Sequence, residues 1–168
     1  MKLVVISDTH MPKMAKALPP RLVEALRTAD GILHAGDWTD PAVADELSAF
    51  APVEGVAGNN DGPAIARRFG HRKVVRYGGI AIGLVHGHGD GGRGRTETRA
   101  VEAFRGTKVD VVVFGHSHIP LLKKVGGILL FNPGSPTDKR RQARYSFGVL
   151  ALGPEGIRAR HVFFDSKS

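Results

Sequence analysis

Apolar residues come in short runs along this chain, and most runs stop at a glycine or a polar residue. Leu3–Ile6, Gly31–His34 and Val53–Val56 are too short for buried helices and read as strands. Helix-start signals fall between them. Pro19-Pro20 precedes Arg21–Thr28, whose apolar face is Leu22, Val23 and Leu26, and Asp40-Pro41 sets an N-cap and an N1 proline ahead of a helix to about Phe50. Strand, polar loop and helix, repeated, predict a parallel α/β arrangement with its site beyond the strand carboxyl ends. The register then changes. Lys73–Arg76 and Ile80–Val85 pair as a hairpin through Tyr77-Gly78-Gly79, and a helix from about Glu97 to Phe104 follows the glycine- and arginine-rich loop Gly91–Arg95. Val109–Phe114 is the most strand-like run of all. Leu121–Val125 with Ile128–Phe131, and Tyr145–Leu152 with Ile157–Phe164, are further hairpins. No repeat or linker divides the chain, so a single domain over residues 1–168 is expected.

The strand ends carry a second pattern. The first three strands run into Asp8 and His10, into Asp37, and into Asn59; Ile80–Val85 runs into His86, and Val109–Phe114 into Gly115-His116-Ser117-His118. A single histidine or Gly-Asp pair is ordinary core or turn chemistry. Turn chemistry gives no reason for such donors at five strand ends. Imidazole is the commonest metal ligand among side chains. A mixed N and O donor set suits Mn²⁺, Fe²⁺, Zn²⁺, Co²⁺ or Ni²⁺ better than Mg²⁺ or Ca²⁺. In an extended segment residues i and i+2 point the same way, so His116 and His118 are expected to leave their strand side by side.

Composition narrows the picture from the other direction. With 168 residues, 24% charged and 42% hydrophobic, the chain has ordinary globular content and length for a sizeable core. It has no cysteine, which excludes disulfides and thiol chemistry. No apolar run reaches the ~18 residues of a membrane span. Met1–Ile6 runs straight into a strand without a signal-peptide layout, so a soluble cytoplasmic protein is expected. The net charge of +8 favours an anionic partner or simply solubility. Three basic clusters stand out: Arg67, Arg68, Arg72 and Lys73; Arg93, Arg95 and Arg99; and Lys139, Arg140, Arg141 and Arg144. They make nucleic acid a candidate partner, although little aromatic interleaving argues for a stacking platform.

Taken in order, the blocks Asp8-Thr9-His10, Gly36-Asp37-Trp38-Thr39-Asp40, Gly58-Asn59-Asn60-Asp61, His86-Gly87 and Gly115-His116-Ser117-His118 resemble the calcineurin-like metallophosphoesterase superfamily. Asn132-Pro133-Gly134-Ser135 resembles its small prokaryotic (YfcE-like) branch, which extends the likeness over nearly the whole chain. The resemblance implies two mixed β-sheets packed as a sandwich and flanked by helices. It implies a dinuclear centre, with Asp8, His10, Asp37 and His118 on one metal and Asp37, Asn59, His86 and His116 on the other. Two divalent ions, manganese first, are the implied cofactors. Two divalent cations against two aspartates and a bridging hydroxide leave the site positive and ready for an anion. Paired metals roughly 3.5–4 Å apart suit in-line attack of that hydroxide on phosphorus. A small phosphodiester or phosphomonoester is the implied substrate, and a homodimer the implied assembly.

One position departs from the family pattern. Many members carry histidine directly after the third-block asparagine, where this chain has Asn60, which cannot serve as an acid. General acid catalysis is worth roughly 10²–10⁴-fold, so aryl leaving groups are expected to be strongly preferred. His88 is the candidate replacement acid, against a role as a loop histidine. Asp61 is expected to orient a water or Asn60, or to close the turn before Gly62. These two join Asp37 and Asn59 as candidate catalytic residues. His34 reads as a core residue or a support behind the ligands, His71 and His161 as structural or exposed, Trp38 as pocket wall or packing, and Asn132 as a loop residue bonding towards the site. Two rival readings are a metallo-β-lactamase-like H-x-H-x-D-H motif at His86–Asp90, spoiled by Gly91, and a protein-interaction scaffold like the retromer subunit of the same fold. Seven intact ligand positions favour catalysis.

Overall fold

The structure is a computed structural model that describes residues 1–89 and 95–168. Ten strands among these residues form two five-stranded sheets. The first contains β1 (Lys2–Ile6), β2 (Gly31–His34), β3 (Val53–Gly55), β9 (Tyr145–Gly153) and β10 (Gly156–Phe164), in the order β10-β9-β1-β2-β3. The second contains β4 (Arg72–Tyr77), β5 (Ile80–Val85), β6 (Val111–Val113), β7 (Leu121–Val125) and β8 (Ile128–Asn132), in the order β4-β5-β6-β8-β7. β1, β2 and β3 run parallel, as do β5, β6 and β8. The remaining pairings are antiparallel. Each sheet therefore combines a parallel block with hairpin strands, as the change of register in the sequence predicts.

Strand alternation distributes the core over three layers. Leu3, Val5 and Leu33 face Ile82, Leu84, Val111, Val113 and Phe131 between the sheets. Val4, Ile6 and Ile32 point the other way, against α1 (Pro20–Leu26), α2 (Pro41–Ser48) and α3 (Pro63–Phe69) through Leu22, Leu26, Val43, Leu47, Ile65 and Phe69. On the outer face of the second sheet, Val112 and Leu130 meet Ala100 and Phe104 at α4 (Thr96–Ala103). Each such buried side chain contributes roughly 1.5–3 kcal/mol of transfer free energy. The expected helix–sheet–sheet–helix sandwich is what forms.

Local signals acted as predicted at α2, where Asp40 Oδ1 accepts the Ala42 N–H at 2.8 Å and Pro41 fills the first helical position. Sequence reasoning placed no element between Asp61 and Lys73, yet α3 lies there. With seven residues it offers only Ile65 and Phe69 as an apolar pair, four apart, too short a signal to separate from a loop. The basic clusters are partly used inside the molecule. Arg68 pairs with Asp45 at 2.9 Å, Lys73 with Glu54 at 3.3 Å and Arg144 with Asp165 at 2.8 Å. Arg72 lies over the Phe104 ring and donates to the Ala103 carbonyl. No described helix is long and apolar enough to cross a membrane.

Candidate metal centre

Because the parallel strands of both sheets end on one edge, the polar segments that follow them meet there. Four polar atoms in this cluster are buried and have no hydrogen-bond partner: Asp8 Oδ1, His10 Nε2, His86 Nε2 and His118 Nε2. They face one another. Asp8 Oδ1 lies 3.5 Å from His118 Nε2, 3.7 Å from His86 Nε2 and 3.9 Å from His10 Nε2. Asp37 Oδ2 lies 3.3 Å from His86 Nε2 and 3.5 Å from His10 Nε2. Buried polar atoms ordinarily find partners, and four converging orphans are what a cation would satisfy. Among the described residues two groups meet the spacing of a metal site, Asp8 with His10 and His118, and Asp8 with Asp37 and His86.

The surroundings prepare these atoms. The Ser7 hydroxyl and the His116 N–H donate to Asp8 Oδ2 at 2.8 and 3.0 Å, which leaves Oδ1 for the cluster. His86 Nδ1 lies 2.8 Å from the Ala35 carbonyl, and His118 Nδ1 lies 2.5 Å from the Asp138 carbonyl. A carbonyl only accepts, so both Nδ1 atoms carry the proton and both Nε2 lone pairs face the cluster. His34 is arranged the opposite way. Its Nδ1 accepts the Gly36 N–H at 3.1 Å, so its Nε2–H donates to Thr9 Oγ1 at 3.1 Å and no lone pair remains. Burial holds its pKa well below the usual imidazole value, as its neutral structural role requires.

Asp37 is gripped by Asn60. The Asn60 backbone N–H donates to Oδ1 and its side-chain amide to Oδ2, both at 2.9 Å. Burial alone raises the Asp37 pKa, but the facing His86 and the two Asn60 donors outweigh it and hold the carboxyl well below its ordinary value. Burial lowers the pKa of His10 and His116, which favours the neutral, ligating form. For His86 burial also works downward, yet Asp37 and Asp8 win and the net direction is up.

The seven expected ligand positions separate into two neighbourhoods. The His10 and His118 rings stack at 5.3 Å, with Asp8 beside them. The His86 and His116 rings meet edge-on at 5.2 Å, and Asn59 Oδ1 lies 3.2 Å from His116 Nδ1. His116 and His118 do not leave a strand side by side. β6 stops at Val113, and both histidines sit in the left-handed backbone region, at φ 71° and 63°. Asp8, His10 and Asp37 share that conformation at 57°, 45° and 61°. Non-glycine residues held there cost on the order of 1–3 kcal/mol each, a strain that concentrates at functional sites. The turned backbone sends the two imidazoles to different neighbourhoods.

The other expected site residues take distinct places. Asp61 accepts the backbone N–H groups of Asp37 and Gly58 on Oδ2, at 2.8 and 2.7 Å, and of Thr39 on Oδ1, at 2.8 Å. Its carboxylate thus ties the Asp37 and Asn59 loops together from behind. Burial raises its pKa while the three amides act against that rise. His88 is half-buried, its ring 5.4 Å from His86 and 6.3 Å from His116. Asp90 and Arg93, with the glycines of the loop before Arg95, lie outside the described residues. Trp38 packs rather than walls the site: it is fully buried, stacks on His34 at 3.9 Å and donates to the Val56 carbonyl. His161 Nε2 donates to the Asn132 carbonyl at 2.7 Å.

A bracing shell escaped sequence reasoning. Asn132, expected to bond towards the site, donates its amide to the Gly115 carbonyl and Ser117 Oγ, both at 3.1 Å. Ser135 Oγ donates to the Asp8 carbonyl at 2.8 Å and Thr137 Oγ1 to the Thr9 carbonyl at 2.6 Å. Only the Asn-Pro-Gly-Ser block hinted at this; Ser7, Thr137 and Asp138 carry no sequence signal. Close approach also explains two glycines. A Cβ on Gly115 would lie 1.9 Å from Ser7 Oγ and 2.7 Å from Asp8 Oδ2, and one on Gly58 would lie 2.1 Å from Asp37 Oδ1. Gly115→Ala is therefore expected to displace the Asp8 carboxylate and weaken metal binding by about 10–100-fold, the effect typical of disturbing a ligand's support. Isothermal titration with Mn²⁺ measures it, and unchanged affinity would contradict the packing.

The sequence profile of the calcineurin-like phosphoesterase superfamily domain matches residues 1–154. The chain belongs to that superfamily. It is 36% identical over 140 residues to a "probable metallophosphoesterase" of Methanothermobacter thermautotrophicus, covering 81% of this chain and 77% of that protein. A phosphodiesterase of Methanocaldococcus jannaschii is 26% identical over 148 residues, covering 80% of this chain and 83% of its own. Among solved structures, Vps29 of Entamoeba histolytica complexed with zinc superposes with a TM-score of 0.73 at 27% identity, over 98% of this chain and all of that one (100%). Membership in the superfamily supports a phosphoesterase activity, and the described residues bring together two donor groups able to hold a metal ion.

Proposed function

We propose that the protein is a phosphodiesterase with a dinuclear centre, one cation held by Asp8, His10, Asp37 and His118 and the other by Asp37, Asn59, His86 and His116. The observation that carries this reading is the set of four orphaned, converging atoms on Asp8, His10, His86 and His118. Two divalent cations there, Mn²⁺ first, would supply Lewis acidity for a phosphoryl oxygen and bring a water's pKa close to neutral. The chain's own residues do the positioning. Asn60 fixes both oxygens of Asp37. The Ala35 and Asp138 carbonyls fix the tautomers of His86 and His118. Asp61 holds the loops that present Asp37 and Asn59. His88, whose ring lies beside those of His86 and His116, is assigned the role of moving a proton to a leaving group. The phosphodiesterase relative supports diesters over monoesters.

The test is reconstitution with Mn²⁺, metal counting by mass spectrometry, and rates on bis-p-nitrophenyl phosphate and p-nitrophenyl phosphate. Two metals per chain and faster diester turnover are expected. Faster monoester turnover would reassign the substrate class. Metal binding with no hydrolysis of either ester would point to an interaction scaffold of the same fold, and a chain that binds no metal would end the proposal.

A further inference from the structure

A polar cavity of about 390 Å³ opens beside the donor cluster, walled by His10, Lys13, Thr39, Asn60, Asp138 and Arg140. Two of these residues reach the same atom of the centre. His10 Nε2 lies 3.5 Å, and Asn60 Nδ2 2.9 Å, from Asp37 Oδ2. The cavity therefore borders the donor cluster on the side of His10 and Asn60. A second cavity differs in character. Past Ser117 a cavity of about 340 Å³ is lined largely by apolar atoms, with Phe114, Ile119 and Leu121 in its wall.

The polar cavity carries a surplus of positive charge. Lys13 makes no ion pair or hydrogen bond with its side chain among the described residues. Arg140 has one carboxylate near it, Asp138, and its Nε is 3.9 Å from Oδ2, too far for a hydrogen bond. Two cations against one carboxylate leave one positive charge on the wall. Arg140 is also a non-glycine residue held in the left-handed region, at φ 49°. A conformation that side chains rarely adopt persists only when the surroundings enforce it. The surroundings here are braced. The Lys167 ammonium, from the end of the chain, donates to the Met14 carbonyl on one loop and to the Thr137 carbonyl, at 2.9 Å, on the other. Thr137 is itself tied to Thr9 beside the donor cluster. The loops that present Lys13 and Arg140 are thus fastened to each other and to the centre.

We propose that this cavity is a subsite for a second anionic group, so that the substrates are phosphodiesters one arm of which carries a terminal phosphate. The guanidinium fork of Arg140 suits phosphate oxygens in pairs, and Lys13 supplies a compact charge. The inference rests on the phosphodiesterase reading above, and the experiment separates the two. The probes are thymidine 5′-(p-nitrophenyl phosphate) with and without a 3′-phosphate, turned over by the Mn²⁺-loaded protein. The 3′-phosphate is expected to raise kcat/KM by about tenfold, mainly through KM, as a charge-assisted contact would. In the double variant Lys13→Gln with Arg140→Gln, the ratio between the two esters should fall to near one. A ratio of two substrates on one preparation does not depend on how much of the variant is folded. A second readout needs no metal: calorimetry on chelator-treated protein with thymidine 3′,5′-bisphosphate and thymidine 5′-phosphate. The bisphosphate is expected to bind several-fold more tightly to the wild type, with the difference lost in the variant. Equal kcat/KM for the two esters in the wild type, or a ratio the variant leaves unchanged, overturns the subsite and leaves the phosphodiesterase standing. No turnover of either ester, with the calorimetric difference intact, overturns the phosphodiesterase and leaves the anion site standing.

Discussion

Asp37→Asn is expected to lower kcat/KM for bis-p-nitrophenyl phosphate by on the order of 10³-fold, beyond the 10–100-fold typical of losing a ligand's supporting partner. It is also expected to lower the metal content from two per chain to one or fewer. Asp37 Oδ2 lies 3.3 Å from His86 Nε2 and 3.5 Å from His10 Nε2, so one carboxylate oxygen faces both neighbourhoods, as the proposed bridging role requires. Asparagine has the same size and tolerates the φ of 61° that Asp37 adopts, so the backbone is preserved. The charge is not preserved. Its oxygen can still accept the Asn60 backbone N–H, but its NH₂ then faces the Asn60 side-chain amide and the two imidazole lone pairs. Alanine at this position adds backbone strain to the lost ligand and serves as the cruder control. Circular dichroism establishes the fold, mass spectrometry counts metal, and steady-state rates report turnover. Two bound metals together with wild-type rates would sink the shared-carboxylate assignment.

The second large effect concerns the leaving group. Aryl diesters are expected to be cleaved about 10²–10⁴-fold faster than dialkyl diesters, the span general acid catalysis would otherwise close. An aryloxide departs without a proton, whereas an alkoxide needs one. Asn60 cannot give it, and its amide is already committed to Asp37 Oδ2 at 2.9 Å. Asp61 is committed to three backbone amides. The candidate to be tested is His88, whose ring centre is 5.4 Å from that of His86. A series of aryl and alkyl esters, run on the wild type and on His88→Gln, resolves its role. A steep dependence on leaving-group pKa that His88→Gln does not change assigns no acid. A shallow dependence that becomes steep in the variant assigns His88. Equal aryl and alkyl rates in both proteins would overturn the prediction.

Much of this molecule is legible in its linear pattern because the signals are local. Alternating or continuous apolar runs of four to nine residues fall where the strands form, and an aspartate followed by proline marks the start of α2. The donors are legible because each lies in the short segment that follows a strand, and the parallel strands of a sheet end on one edge. The short helix α3 was not legible, because two turns carry one apolar pair. Nor was the true geometry of His116 and His118, since strand alternation applies only while the chain is extended and β6 ends three residues before His116.

The sequence by itself determined which chemistry is available: seven N and O donors, no thiols, a surplus of positive charge, and an asparagine, Asn60, where the family resemblance implies an acid. The tertiary structure decided how those groups are used. Residues more than a hundred apart, such as Asp8 with His116 or Ser135, meet only after both sheets have packed, and no periodicity along the chain encodes that meeting. The same packing chose which imidazoles kept a lone pair. Carbonyls from β2's exit and from the loop after β8 accept from Nδ1–H of His86 and His118 and so keep the proton there, while Gly36 and Thr9 consume both nitrogens of His34. A histidine becomes a candidate ligand or a core residue according to what its far nitrogen touches, and that contact is made across the fold.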